Sequence, residues 1–306
     1  MFATGSGCAA IQLKGTVGTA SYDSSVNTTT TNTGGNVGTN GNLDIQGHVD
    51  VHGTLSTPRT GVGTCTDGTN VTALTQTGAA TVDNDAITQL PQALSFPPPA
   101  VPNNPWPPVT DMDASSATCD TIKAQAPSIT CTVSSNTATV DPGGATVSLG
   151  NISGNWVLKG GTYNINAIGS GSNTGLSVAT SAGGVQNVVI NLAGRALASS
   201  TTQDMAAPFD TNGQAVVNTS MDPSRLQVLY AGAGHIEMTG GSTACMMLYA
   251  PNATVTTHGN SDIWGSILAA QVTSQGTPRF IYDRHLQSTF KVLGNYVVTS
   301  FNWKKY

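Results

Sequence analysis

Leu229-Tyr230-Ala231, Leu248-Tyr249-Ala250 and Ile267-Leu268-Ala269 return at steps of nineteen residues. Short alternating stretches lie between them: His235-Ile236-Glu237-Met238, Thr254-Val255-Thr256 and Gln271-Val272-Thr273. Glycines close the units at Gly240-Gly241, Gly259 and Gly276. A unit of this length is too short for a helical hairpin repeat. It fits one turn of a solenoid, whose stacked coils bury a continuous apolar column. The Leu/Ile and Ala positions are assigned to that column. The polar residues between them, such as His235, Glu237, Thr254, Thr256 and His258, face outward.

The rest of the composition agrees. Only 9% of the 306 residues are charged, against about 25% in an ordinary domain. Glu237 is the single glutamate, and 35 positions are glycine. The straight-chain helix formers are scarce, while β-branched and turn residues are abundant. Apolar residues make up 38% and recur in register, which argues against low-complexity disorder. The net charge of −5 is mild and no basic stripe exists, so nucleic acid is not an expected partner. No stretch of eighteen apolar residues is present, so no membrane span is expected in this chain. Met1-Phe2-Ala3 runs almost at once into Gly5-Ser6-Gly7-Cys8. That reads as a chain entered midway, with an upstream segment removed or encoded elsewhere.

The fold expected is all-β: a right-handed parallel β-helix (β-solenoid) with loop excursions and little helix. Residues 1–90 hold N-terminal coils, among them the strictly alternating run from Leu43 to Leu55 with bends at Gly47 and Gly53. Residues 91–110 carry Pro91, Pro97, Pro98, Pro99, Pro102, Pro105, Pro107 and Pro108. Each lacks a ladder donor, so this segment reads as an extended strap anchored by Phe96 and Trp106. Residues 111–306 form the C-terminal coils with a small excursion, or one continuous solenoid with the first. The one helical signal is short, around Asp120–Ala124. Residues 199–223 read as an excursion loop. The aromatic-rich end at 287–303, with Phe290, Phe301 and Trp303, is expected to cap the stack.

Five cysteines match no paired zinc motif. Cys119 and Cys131 flank the small excursion and are the first disulfide candidates; Cys8 and Cys65 are a second pair. Cys245, beside Met246 and Met247, reads as a buried free thiol. Two disulfides place the protein outside the cytoplasm, extracellular or at the cell surface.

Leu248-Tyr249-Ala250-Pro251-Asn252-Ala253-Thr254-Val255, then Gly259-Asn260-Ser261-Asp262-Ile263-Trp264-Gly265 and Tyr282-Asp283, resemble the C-terminal β-helical domain of bacterial pilus-assembly proteins of the PilX/TadG-like kind. Gly5-Ser6-Gly7-Cys8-Ala9-Ala10-Ile11, Gly41-Asn42-Leu43, Thr57-Pro58-Arg59-Thr60-Gly61-Val62-Gly63 and Leu90-Pro91-Gln92-Ala93 extend the likeness over most of the chain. The resemblance implies pilus or cell-surface partners and brings no catalytic residues with it.

Candidate chemistry is sparse. His48-x-Asp50-x-His52 alternates around inward Val49 and Val51. On one strand these polar groups project together, about 7 Å apart in succession. They can hold Zn²⁺ or Cu²⁺ if a neighbouring coil contributes; an exposed polar ladder is the plainer reading. Asp83-x-Asp85 and Asp111-x-Asp113 have the spacing of calcium or glycosidase carboxylates, but no second acidic cluster completes a site. Asp283-Arg284-His285 reads as a local salt bridge at a turn. No GxSxG, HExxH or phosphate-binding glycine loop occurs. The functional expectation is a non-enzymatic pilus-associated structural or adhesive subunit with no catalytic residue and no cofactor. The alternatives are a secreted polysaccharide hydrolase or lyase on a β-helix, and a module binding glycan or a solid surface.

Overall fold

The computed structural model describes residues 1–83, 86–103, 105–169, 175–211, 216–240, 243–260, 262–287, 291–293 and 296–298. The chain is nearly all β, with 50% strand and 6% helix. A 21-stranded sheet, mostly parallel, closes around one apolar core. A smaller five-stranded sheet flanks it.

The parallel ladders define layers. Thr146–Ile152, Gly161–Ile168, Val188–Leu192, Leu226–Tyr230, Ala244–Gly259 and Asp262–Gly276 pair in that order. The order then leaves the chain sequence. Asp262–Gly276 pairs next with Phe2–Ala3 and Ile11–Gly15, and Arg279–Asp283 with Gly18–Asp23. Above these lie Val37–Thr39 and Leu43–Gly47, then Leu55–Thr57 and Leu74–Gly78, and finally Ile87–Gln89. The first strands of the chain therefore sit in the middle of the stack. Residues 74–89 form one end and residues 111–152 the other.

Alternation makes the core. Ile236, Val255, Val272, Ile11, Leu43 and Leu74 stand in one register row and are buried. Four residues further on, the same strands place Gly240, Gly259, Gly276, Gly15, Gly47 and Gly78 in a second row. The last five have φ between +78° and +114°, a region open to glycine and strained for other residues. This column is the corner at which each layer turns, and it runs unbroken from Gly276 to Gly15.

The nineteen-residue triplets do not all stack as the letters suggest. Leu248 pairs with Ile267, but Val228 pairs with Leu248 and Leu229 with Tyr249. A one-residue slip exchanges the faces of a strand. Tyr230 thus lies in the core, while Leu229, Tyr249 and Leu268 form an outward apolar patch with Phe96 against it.

That patch seats the proline segment. Phe96 packs on Phe2, with ring centroids 5.1 Å apart. A proline-rich backbone has few donors but keeps its carbonyls, and the stack supplies side-chain donors to them. Tyr249 Oη donates to Pro97 O at 2.6 Å and Asn164 Nδ2 to Pro105 O at 3.2 Å. Ser148 Oγ donates to Trp106 O at 3.4 Å and Asn151 Nδ2 to Val109 O at 3.2 Å. Arg195 donates to Pro107 O and holds its guanidinium 4.5 Å above the Trp106 ring. At the other end, Leu94 N donates to Asn40 Oδ1 at 2.8 Å. The segment therefore runs back along the stack, from its last layers to its first.

Both disulfide candidates are bonded, Cys8 to Cys65 and Cys119 to Cys131, and Cys245 is a buried free thiol. The helix is Ser116–Lys123, N-capped by Ser115, with Cys119 and Ile122 buried in the main core. It closes the end of the stack at Thr146–Ile152. There Gln125 imitates a strand: its Nε2 donates to Ser148 O at 2.7 Å and its Oε1 accepts from Ser148 N at 2.8 Å. An edge strand is thereby covered. The cap expected at 287–303 rests on Phe290, Phe301 and Trp303, which lie outside the described residues. The chain reaches residue 287 from Asp283, whose strand is paired on both sides in mid-stack. The expected excursion at 199–223 contributes a strand, Phe209–Asp210, to the main sheet.

Candidate functional site

The inward row of Ile236, Val255, Val272, Ile11, Leu43 and Leu74 fixes what faces out beside it. One outward row reads Asp210, Glu237, Thr256, Thr273, Gln12, Asp44 and Thr75. The next reads Thr239, His258, Gln275, Lys14, Gln46 and Thr77. Neighbours along a row are about 4.8 Å apart. The surface is regular, polar and free of aromatic side chains. Asp210 and Glu237 are register partners at one end of the row, and further along Asp44 accepts from Gln12 Nε2 at 2.9 Å and from Gln46 Nε2 at 2.9 Å. Such a face offers many weak hydrogen-bonding groups at a fixed repeat. His258 stacks on Thr239 and Gln275, four residues beyond the row of His235.

His48, Asp50 and His52 all follow the corner at Gly47, and of the three only Asp50 lies in a strand. Leu43–Gly47 ends at Gly47, with φ +96°, and Asp50–Val51 begins a new strand. The three therefore do not share one strand. His48 and Asp50 are exposed. Asp50 Oδ1 accepts from Thr81 Oγ1 at 2.9 Å, and His52 Nδ1 lies 3.4 Å from Asp83 Oδ1. Among the described residues, no group of three His, Cys, Asp or Glu side chains is placed to hold a metal ion. Asp85 lies outside the described residues. Asp111 accepts from Asn151 Nδ2 at 3.0 Å. Hydrogen bonds from Ser115 and Thr118, at the start of the helix, hold the Asp113 carboxyl below the usual range.

Asp283 is a buried anchor of its turn. It accepts from Ser24 N at 3.0 Å, Ser24 Oγ at 2.6 Å and His285 N at 3.0 Å. Burial pushes the Cys245 thiol up to about 12, which keeps it protonated and unreactive.

Two concavities of the molecule lack what saccharide hydrolysis needs. One, lined by Met1, Phe2, Asn36, Ile267, Tyr282 and Gln287 among others, has a free volume of about 50 Å³ and no carboxylate in its wall. The other is an open bowl of about 350 Å³ around Arg59 and Asp67. Its charges are engaged with backbone: Arg59 Nη2 donates to Ser6 O at 2.7 Å and Asp67 Oδ1 accepts from Cys8 N at 2.6 Å. Neither presents the paired carboxylates of glycoside hydrolysis.

The proline-segment seat was half legible. Phe96 and Trp106 stand out as aromatic anchors among the prolines, while Tyr249, Asn164 and Arg195 carry no local signal, since their partners lie far away in sequence.

No curated protein and no solved structure matches the chain. A family model described as "Domain of unknown function (DUF7305)" matches residues 114–289. That span starts just before the capping helix and includes the strands from Thr146–Ile152 to Arg279–Asp283. It covers more than half of the chain, which therefore belongs to the DUF7305 family.

Proposed function

We propose that this protein is an extracellular, non-enzymatic structural or adhesive subunit, built as a right-handed parallel β-helix and akin to PilX/TadG-like pilus-assembly proteins. The observation that carries the reading is the polar register row from Asp210 to Thr75, which repeats hydrogen-bonding groups at each step of the sheet. Two disulfides favour an oxidising compartment. Among the described residues, no helix is long and apolar enough to cross a membrane. The right-handed sense follows the strong bias of parallel crossovers. Partners that fit are other pilus or surface components, a glycan, or a solid surface.

Beads coated with the protein test this on a panel of polysaccharides and abiotic surfaces. The coated beads are retained, through multivalency, where single molecules bind weakly. Thr256→Lys with Thr273→Lys lowers bead retention at least tenfold while leaving the unfolding midpoint nearly unchanged, because both side chains point outward. Turnover of any polysaccharide, abolished by changing an aspartate, overturns the reading in favour of an enzyme. Equal retention of the double variant overturns the assignment of this face.

A further inference from the structure

We propose that the seam between Asp262–Asp283 and residues 2–23 is an exchangeable interface, and that its partner is a second copy of this chain. The N-terminal layers of one molecule then complete the stack of another.

Four observations carry this. First, the seam is non-covalent, and residues 91–110 are the sole covalent link between its two sides. Second, both disulfides stay on one side. Cys8–Cys65 lies within the N-terminal layers and Cys119–Cys131 within the C-terminal cap. Oxidative folding therefore leaves the seam free to exchange.

Third, the seam is built like every other step of the stack. Ile11 meets Val272, Gly15 meets Gly276 and Ala20 meets Ile281 in parallel register. Thr4 Oγ1 donates to Pro251 O at 2.7 Å, Gln271 Nε2 to Ala9 O at 3.1 Å, and Ser24 Oγ to Asp283 Oδ2 at 2.6 Å. A second copy reproduces all of these, so exchange sacrifices no seam contact; this is the condition under which domain swapping is cheap.

Fourth, the link has reach. Residues 91–110 extended as polyproline span about 60 Å. The stack they cross is roughly 48 Å at about 4.8 Å per layer. Until Asp262–Gly276 and Arg279–Asp283 are in place, Ile11–Gly15 and Gly18–Asp23 each have an unpaired edge, the kind of edge that recruits another chain.

The test uses the full chain carrying Gln12→Cys and Thr273→Cys, which are register partners on the outward face. The protein is unfolded without reductant, refolded over a range of concentrations, oxidised mildly and run on a non-reducing gel. At low concentration the new bond closes within one molecule. At high concentration covalent dimers and a ladder of larger species appear, and neither single variant produces them. A monomer band alone at every concentration overturns the proposal. Should the double variant fail to fold, wild-type copies with two different tags are co-refolded. Mixed-tag dimers that survive dilution support exchange, and their absence overturns it.

Discussion

Gly15→Ala is expected to lower the stability of the chain by about 3 kcal/mol, read as a drop in the denaturant midpoint with an unchanged slope. Two causes add. Gly15 has φ +102°, where a side chain is strained by about 1–3 kcal/mol. A Cβ there also collides with the Gly276 carbonyl oxygen, a backbone atom that cannot move without breaking the next ladder. The loss is a large part of the 5–15 kcal/mol typical of a folded domain. Gly144→Ala separates the causes. Gly144 has a similar φ of +91°, but nothing lies within 4 Å of an added Cβ. It therefore pays strain alone and should cost about 1–2 kcal/mol. Equal losses at the two sites would show that the glycine column is not tightly stacked.

Arg195→Ala is the second large effect. Arg195 is buried, and its Nη1 donates to Ala198 O and Ser200 O, each at 3.1 Å, while Nη2 reaches Pro107 O. Truncation leaves these carbonyls without their charged donor and removes the cation from the Trp106 face. Bonds to charged groups are worth about 1.5–3 kcal/mol each, but they are not additive. The expected cost is about 2–3 kcal/mol, concentrated at one end of the proline segment. Hydrogen exchange and limited proteolysis of residues 101–110 should rise sharply, while the layers around Val255 and Val272 stay protected. Arg195→Lys should recover less than half, since a single ammonium cannot reach three carbonyls and cover a ring. Unchanged protection of residues 101–110 in Arg195→Ala would mean that the segment is held by Phe96 and the carbonyl donors alone.

Much of the β architecture was legible because it is written in local periodicity. The alternation in Leu43–Leu55 and in the 226–283 repeat placed Ile45, Val49, Val51, Val255 and Val272 inside, and they are buried. The prolines of 91–108 placed a segment outside the ladders, because the missing N–H is a local property. What was not legible is pairing between distant segments. Nothing near Ile11 says that it faces Val272. One signal was nonetheless present. Ile11–Gly15, Leu43–Gly47, Leu74–Gly78, Ile236–Gly240, Val255–Gly259 and Val272–Gly276 share an apolar residue four before a glycine, and all six glycines stack. Aligning the chain on that glycine would have exposed the place of the N-terminal strands, though not the one-residue slip at Leu229, because Gly240 and Gly259 are also nineteen residues apart. The cap was missed for another reason. Gln125 pairs with Ser148 through its side-chain amide, a role with no sequence pattern of its own. His48 and His52 flank the two-residue strand Asp50–Val51, a break that the alternation around Val49 and Val51 does not announce.

The central claim is that the first strands of the chain lie against the last layer of the C-terminal stack. Spin labels at Lys14 and Gln275, which are register partners, test it most directly in the monomer fraction. Strong dipolar broadening is expected, from backbones about 5 Å apart. A stack in simple chain order would separate the two by more than about 35 Å, and a resolved distance of that size would contradict the account.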